Sequence, residues 1–317
     1  MSRAHRSKGV VLAPMSAVTF LVLGLSGVAH AQPVAWSYPE NMGDIVNSTY
    51  NEDLPHLGPD GLSLYFISNR PGLGGFDIWV SRRSSPYDPW GTPRNLGSTI
   101  NGSSDERGPC LSRDGHTLFF SSNRPGGFGS QDLWMSYRWD TTNDFAWQPP
   151  VNLGPGVNTN DPDFGAAYIE NEWGPHALLF GRRVNGGESD IYMSEGQWDG
   201  TFGDAERVSQ LSMLSADDLR PTVRLDGLEL YFHSNRPDSQ GHDLWVSWRP
   251  STFSNWSFPR NLGPVVNTSV DEQYPALSPD ARTLVFSSKR SDSRGGSDLY
   301  ISTRESDPWP YYDYSPY

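Results

Sequence analysis

The chain of 317 residues has little cysteine, little lysine and little positive charge. Its single cysteine, Cys110, excludes an intrachain disulfide framework, and we interpret it as a small buried side chain rather than a nucleophile. Lysine occurs only at Lys8 and Lys289. With 37 Asp and Glu against 24 Lys and Arg, the chain is acidic, which argues against nucleic acid or an anionic membrane as its main partner. Ca²⁺, cationic peptides and neutral sugars remain compatible with this charge.

Apolar residues are concentrated near the N-terminus, where they follow a basic start. Arg3, Arg6 and Lys8 precede a mostly apolar run over residues 18–25, and Ala29-His30-Ala31 is a small-residue cleavage sequence. This order predicts a secretory signal peptide over residues 1–31, too short for a membrane span. We therefore expect a secreted or periplasmic protein with no membrane span after cleavage.

A repeated phrase follows, whose clearest copy runs from Ser121 to Trp134 and reads SSNRPGGFGSQDLW. Its Asp recurs at spacings of 55, 58, 53 and 55 residues. The five copies are Asp77, Asp132, Asp190, Asp243 and Asp298. Fixed periods in this range are typical of propellers and other repeat folds. We interpret each Asp as a turn cap that accepts hydrogen bonds from backbone N–H groups, with metal binding as the alternative.

A second phrase, Trp-x-x-Pro-x-Asn-Leu-Gly, keeps the same register. It starts at Trp36, Trp90, Trp147 and Trp256, and in degenerate form at Phe202. Asp-Gly turns between the two phrases predict hairpins, so each period holds four short strands. In the second repeat we predict strands over residues 109–112, 117–122, 132–137 and 147–153.

Four strands per period and five periods predict an all-β fold, a single five-bladed β-propeller. The last period lacks its own Trp phrase, whereas the first Trp phrase precedes every blade. We therefore predict that residues 36–43 supply the outer strand of the last blade and close the ring. The predicted propeller covers residues 32–309, and 310–317 form a Pro- and Tyr-rich tail. The predicted blades are 44–97, 98–154, 155–209, 210–263, and 264–304 plus 36–43.

Three motifs carry a resemblance to a known family: Pro-x-Leu-Ser-x-Asp-Gly, Leu-Tyr-Phe-x-Ser-Asn-Arg and Asp-Leu-Trp. Together they resemble the TolB-type, WD-like propeller repeat over nearly all of the chain beyond the signal segment. The resemblance implies a propeller of the kind found in secreted and periplasmic bacterial proteins. Members of this family include protein-binding modules, peptidase-associated domains and a few enzymes, so the fold does not fix the function.

Each blade also carries an acid just before its first strand and an arginine after its second. The acids are Glu52, Glu106, Asp163, Asp218 and Glu272, and the arginines are Arg70, Arg124, Arg183, Arg236 and Arg290. We expect the acids at one mouth of the central channel. Since a catalytic site needs different residues in different blades, the fivefold repetition favours a structural acid–arginine pair in each blade. The alternative is a ring that binds Ca²⁺ or a cationic group.

Functional residues are expected where the five copies disagree. Beside the first proline of strand one, the copies place the non-equivalent polar residues Asp53, Arg107, Arg220 and Tyr274. We predict that these four side chains bind a small polar ligand or a peptide carboxylate at the same mouth. A solvated rim without a ligand is the alternative.

Two hypotheses for function remain. The first is a monomeric, non-catalytic binding or scaffold module for an envelope or extracellular protein, peptide or glycan. The alternative is a glycan-active hydrolase or lyase, because arabinanase-type glycosidases are also five-bladed and draw three acids from different blades. The candidate carboxylates for that chemistry are Asp53, Asp105, Asp163, Asp217 and Glu272. No cofactor is predicted, and Ca²⁺ is the metal that the acids would suit.

Overall fold

Twenty β-strands and one short 3₁₀ helix, Val184–Gly186, make up the regular structure of the described residues. The structure is a computed structural model that describes Met1 and residues 35–170 and 175–305. The rest of the predicted signal peptide and the predicted tail lie outside these residues. Among the described residues, no helix is long and apolar enough to cross a membrane. The strands are β1 (Glu40–Asn41), β2 (Glu52–Leu57), β3 (Ser63–Ser68), β4 (Asp77–Arg82), β5 (Arg94–Asn95), β6 (Glu106–Leu111), β7 (Thr117–Ser122), β8 (Asp132–Tyr137), β9 (Val151–Asn152), β10 (Asp163–Ile169), β11 (Ala177–Arg183), β12 (Ser189–Glu195), β13 (Glu206–Arg207), β14 (Asp218–Val223), β15 (Glu229–Ser234), β16 (Asp243–Trp248), β17 (Arg260–Asn261), β18 (Glu272–Leu277), β19 (Thr283–Ser288) and β20 (Asp298–Thr303).

The strands form five antiparallel sheets of four strands each. The sheets are β2-β3-β4-β5, β6-β7-β8-β9, β10-β11-β12-β13, β14-β15-β16-β17 and β18-β19-β20-β1. The first strand of each sheet is innermost and contacts the first strands of the neighbouring sheets. This arrangement confirms the predicted five-bladed β-propeller.

The ring is closed by β1. Glu40 lies opposite Ile301 and Asn41 opposite Tyr300 in β20, so the N-terminal segment completes the last blade. Flanking bonds extend the pairing: the Ser37 N–H donates to the Thr303 carbonyl oxygen at 2.7 Å. The predicted closure is confirmed, and it removes the free edge that the last sheet would otherwise expose.

The second strand of each blade carries most of the core. All six residues of β3 and of β15 are buried, because both faces pack against neighbouring blades. Apolar clusters accordingly span two blades, as where Tyr65 and Ile67 of the first blade join Leu118 and Phe120 of the second. An isolated blade cannot cover these faces, so the blades stabilise each other.

Two strand limits in the second blade differ from the prediction. Strand β6 begins at Glu106 rather than at residue 109, because ladder pairing continues on both sides of a bulge between Arg107 and Cys110. The outer strand β9 contains only Val151 and Asn152, not residues 147–153. Pro149 and Pro150 precede it and lack the N–H that a ladder requires.

Candidate functional site

The five repeated acids at the start of the innermost strands are fully buried and do not line the channel mouth as predicted. Each accepts a hydrogen bond from a backbone N–H in the loop before it, as Glu106 does from Gly102 at 2.8 Å. Each also pairs with an arginine whose guanidinium donates to a carbonyl of that loop, as Arg124 does to Ile100. The other acid–arginine pairs are Glu52–Arg70, Asp163–Arg182, Asp218–Arg236 and Glu272–Arg290. These acid–arginine pairs anchor the loops between blades. Their polar atoms already have hydrogen-bond partners within the ring.

The third blade departs from the predicted arginine. Asp163 pairs with Arg182, its Oδ1 lying 2.6 Å from Arg182 Nε, and not with Arg183. Arg182 lies directly opposite Asp163 in the ladder, where the other blades have serine, so it reaches the carboxylate from a different position. Arg183 instead lies near Asp217, with 3.6 Å between Nη2 and Oδ1.

The repeated Asp at the start of the third strand caps a turn in several blades. Asp132 accepts bonds from the N–H groups of Phe128 and Gly129 and from the Asn152 side chain of the outer strand. Asp77 and Asp298 make equivalent bonds to backbone N–H groups, and Asp243 accepts a bond from Asn261.

Asp190 is an exception to the predicted turn cap. Both its carboxylate oxygens accept bonds from Arg207, which replaces the outer-strand asparagine of the other blades. The third blade has the short helix Val184–Gly186 in place of the Gly-rich turn. An ion pair therefore replaces the turn cap there.

Four of the five candidate catalytic carboxylates serve the ring itself. Asp163 and Glu272 belong to the buried pairs described above. Asp105 accepts a bond from the Phe76 N–H of the preceding blade at 3.0 Å, and Asp217 accepts one from Ser189 at 2.8 Å. Asp105 and Asp217 therefore join neighbouring blades through backbone N–H groups, whereas Asp53 accepts its bond from a side chain, Ser297 of the last blade.

Asp53 faces the channel mouth at which the innermost strands begin, hereafter the strand-start mouth. Burial raises the pKa of its carboxyl, and a 2.6 Å hydrogen bond from Ser297 Oγ opposes that shift. The charges of Lys289 and Arg107 also lower the pKa, but the net direction is upward. A buried carboxyl that holds its proton more tightly than usual is a feature of catalytic acids.

The structure brings the four predicted ligand residues together. The charge of Asp53 acts on both Tyr274 and Arg220, and that of Arg107 acts on all three other residues. Arg220 Cζ lies 5.9 Å from the centre of the Tyr274 ring. Arg107 stacks on Phe76 at 4.3 Å and pairs with Asp105, so it lies at the edge of the cluster.

Further polar residues at this mouth escaped the sequence prediction. The His233 ring lies 4.9 Å from that of Tyr274 and 5.6 Å from that of His242. Asp271 contacts His242 Nδ1 at 3.6 Å and Lys289 Nζ at 3.7 Å. Burial lowers the pKa of His233, helped by the charge of His242, so this imidazole is neutral.

A sequence signal for these residues exists in the second and third strands. The five blades disagree at the position of His233, where the others have Ile67, Ser121, Gly181 and Ser287. They also disagree just before the third strand, where His242 stands. The disagreement between copies that marks the residues beside the strand-one proline thus also marks both histidines.

The channel narrows where each innermost strand is bulged. The residue at the bulge has a left-handed backbone in all five blades, with φ of 54° at Leu54, 55° at Arg220 and 58° at Tyr274. The other two blades have Gly108 and Gly165 there. Glycine adopts this conformation without strain, whereas a side chain costs about 1–2 kcal/mol. We call this ring of five residues the waist. Three of its positions, Leu54, Arg220 and Tyr274, carry a side chain despite the strain.

Within the described residues, no group of three or more His, Cys, Asp or Glu is arranged to hold a metal ion. Cys110 is buried, and burial raises the pKa of its thiol to about 12, which makes it a poor nucleophile.

No protein-family model matches the chain, and no curated protein matches it. Solved structures do match the chain. A thermostable family-43 glycoside hydrolase has a TM-score of 0.57 at 13% identity, covering 84% of this chain and 97% of that one. An α-L-arabinofuranosidase from Podospora anserina, in complex with cellotriose, has 0.59 at 10% identity, covering 87% and 98%. An endo-arabinase from Bacteroides thetaiotaomicron has 0.57 at 15% identity, covering 86% and 98%.

At these identities the similarity shows the five-bladed propeller fold and nothing finer. A structure described as putative TolB from Agrobacterium tumefaciens has a TM-score of 0.48 at 14% identity, covering 86% of this chain and 92% of that one. The TolB-type assignment therefore stays a prediction from the repeat motifs.

Proposed function

We propose that the protein acts on a glycan at the strand-start mouth, as a hydrolase or lyase, in the cell envelope or outside the cell. The observation that carries the proposal is the environment of Asp53. Its carboxyl is half-buried, has a raised pKa and shares the mouth with Tyr274, His242 and a second carboxylate, Asp271.

Glycoside hydrolysis uses two carboxyl groups with different protonation states. In this proposal Asp53 is the acid that protonates the departing sugar oxygen, since its raised pKa keeps the proton available. Asp271 is partly exposed, accepts a bond from the His242 N–H at 3.1 Å and lies 3.7 Å from Lys289 Nζ, and in this proposal it is the carboxylate that activates water. Tyr274 supplies an aromatic face of the kind on which sugar rings pack.

The solved structures with this fold indicate which glycans to test first. They include an α-L-arabinofuranosidase, an endo-arabinase and a GH62 hydrolase in complex with xylotriose. Arabinose- and xylose-containing polysaccharides are therefore the first substrates for this chain, followed by other plant and bacterial polysaccharides.

The test measures new reducing ends after incubation of the protein with this polysaccharide panel. We expect activity on at least one member, and we expect Asp53→Asn to lower kcat by about 10²-fold or more because the proton donor is lost. The asparagine can still accept the Ser297 bond, so the fold is preserved.

Asp105→Asn is the matched control at the same mouth. It makes the same charge change in a residue whose bond to the Phe76 N–H the amide oxygen retains, and it loses only the ion pair with Arg107 at the edge of the cluster. Activity within about twofold of the wild type is expected for the control. A wild-type protein inactive on every glycan, or a fully active Asp53→Asn variant, would contradict the proposal.

Binding without turnover is the second candidate function. It is favoured by the commitment of Asp105, Asp163, Asp217 and Glu272 to structural bonds, which leaves few carboxylates for chemistry. Under this alternative the same mouth captures a glycan, peptide or protein. Glycan binding with no new reducing ends would support it.

A further inference from the structure

Arg220 is a buried cation without a partner in the part of the chain that the structure describes. The residue is 9% exposed, forms no ion pair or hydrogen bond with a described residue, and its Nη1 is fully enclosed. Burial lowers the pKa of its guanidinium to about 10, so the group is still charged at neutral pH. Buried charges in proteins are normally paired, and an unpaired one costs several kcal/mol.

The ring is shaped around this side chain. A Cβ on Gly108 would lie 2.3 Å from Arg220 Nη1, and one on Gly165 would lie 2.2 Å from Arg220 Cδ. The guanidinium also stacks at 5.1 Å from the centre of the Phe164 ring. Two blades thus have glycine at the waist because the arginine of a third occupies the space, which fixes the guanidinium in the channel.

Arg220 borders a cavity that lies on the other side of the waist from the strand-start mouth. The cavity has a volume of about 100 Å³, and its wall runs from the waist to the turns after the innermost strands. Leu54, Cys110, Ala166 and several prolines make much of this wall apolar. The space is large enough for a molecule of a few heavy atoms.

Other charged residues lie farther out along the same wall. Arg113, Glu170 and Arg224 line the cavity beyond the waist, and Glu170 accepts a bond from the Arg113 backbone N–H at 2.6 Å. Asp53 acts electrostatically on Arg220 but makes no ion pair with it. The fixed charge in the narrow part of the cavity is therefore positive.

We propose that this cavity is a second ligand site, in which the Arg220 guanidinium binds the carboxylate of a small organic acid. A guanidinium matches a carboxylate through two parallel hydrogen bonds, which chloride cannot accept; sulfate can accept them but has no carbon end for the apolar wall. The apolar wall receives the carbon end of the ligand. The site does not require the glycan activity proposed above, although Tyr274 of the waist borders both this cavity and the strand-start mouth.

Isothermal titration and thermal-shift measurements with defined anions test this site in the whole protein. Acetate and propionate represent short alkyl acids, and glycolate and lactate represent small hydroxy acids. Sodium chloride and sodium sulfate at matched ionic strength are the controls. We expect saturable binding and a raised Tm with at least one carboxylate. The compound that binds identifies the class of acid that the site takes.

Arg220→Met is the main variant. It should abolish the carboxylate effect and leave the ligand-free Tm equal or higher, since it removes an unpaired buried charge. Arg220→Lys keeps the positive charge but lacks the paired N–H donors of the guanidinium, so it should weaken binding about tenfold or more. This variant replaces Arg220→Met in the test if Arg220→Met does not fold. Arg94→Gln, an exposed arginine stacked on Phe145 outside the channel, should change nothing.

The proposal is overturned if no carboxylate binds the wild type, if chloride or sulfate binds as well as the carboxylates, or if the Arg220 variants bind normally. Because the readout is binding and not turnover, a glycan-inactive protein would leave this result unaffected.

Discussion

His56 illustrates how single residues couple this ring to pH. Its Nε2 accepts a hydrogen bond from the Leu111 N–H of the next blade at 3.0 Å, which requires a neutral ring. Burial lowers the pKa of His56 to about 4, whereas an unfolded histidine titrates near 6.5. Between these pH values the unfolded chain therefore binds a proton at His56 that the folded chain does not bind.

We predict that the protein loses stability as the pH falls from about 6.5 towards 4. His56 alone should contribute about 2–3 kcal/mol of this loss by pH 4.5. His56→Gln, whose amide oxygen can accept the Leu111 bond, should lose less stability over the same interval. Urea denaturation of both proteins at pH 7 and pH 4.5 measures the difference, and equal losses would contradict this role.

Residue roles were predictable from the sequence where the repeat is regular. The Glu106–Arg124 pair and the Asp132 turn cap follow from a fixed spacing, because the same local geometry recurs in every blade. The third blade was the place where spacing misled. There Arg182 reaches Asp163 from a position that no other blade uses, and Arg207 replaces the asparagine that bonds the repeated Asp in the other blades.

At the scale of strands, the waist bulge determines which side chains enter the channel. Leu54, Arg220 and Tyr274 adopt a left-handed backbone that their residue types rarely adopt. A sequence that alternates apolar and polar residues gives no sign of this turn. The copies disagree at these positions, so the location of the candidate site was predictable, but the separation into a mouth and a cavity was not.

The outer strand β1 makes a prediction about closure. A chain that begins at Asp44 lacks the β1–β20 pairing and also Trp36, which is buried and stacks on Arg304 at 4.6 Å. We expect its unfolding free energy to fall by at least about 3 kcal/mol, with lower cooperativity.

The matched control for this truncation ends at residue 309. It removes eight residues that have no counterpart in the repeat, and a change within about 0.5 kcal/mol is expected. Calorimetry of the two truncated proteins compares them directly. Equal melting of both would show that the ring does not depend on β1.

At the scale of the whole molecule, the fold was predictable because the sequence repeats once for each of the five blades. The proposed glycan activity was not predictable in the same way, because four of its five candidate carboxylates form structural bonds within the ring. The residues that differ between blades, Asp53, Tyr274, His233 and His242, converge at one mouth. The proposed function therefore requires that this mouth contacts a glycan.

Electrophoresis in native gels that contain each polysaccharide tests this claim most directly, since it detects binding with or without turnover. We expect at least one polysaccharide to retard the wild type and Asp105→Asn, and Tyr274→Ala to migrate at the unretarded rate. Tyr274→Ala must also show a native circular dichroism spectrum. Retardation that survives in Tyr274→Ala, or that no polysaccharide produces in the wild type, would contradict the account.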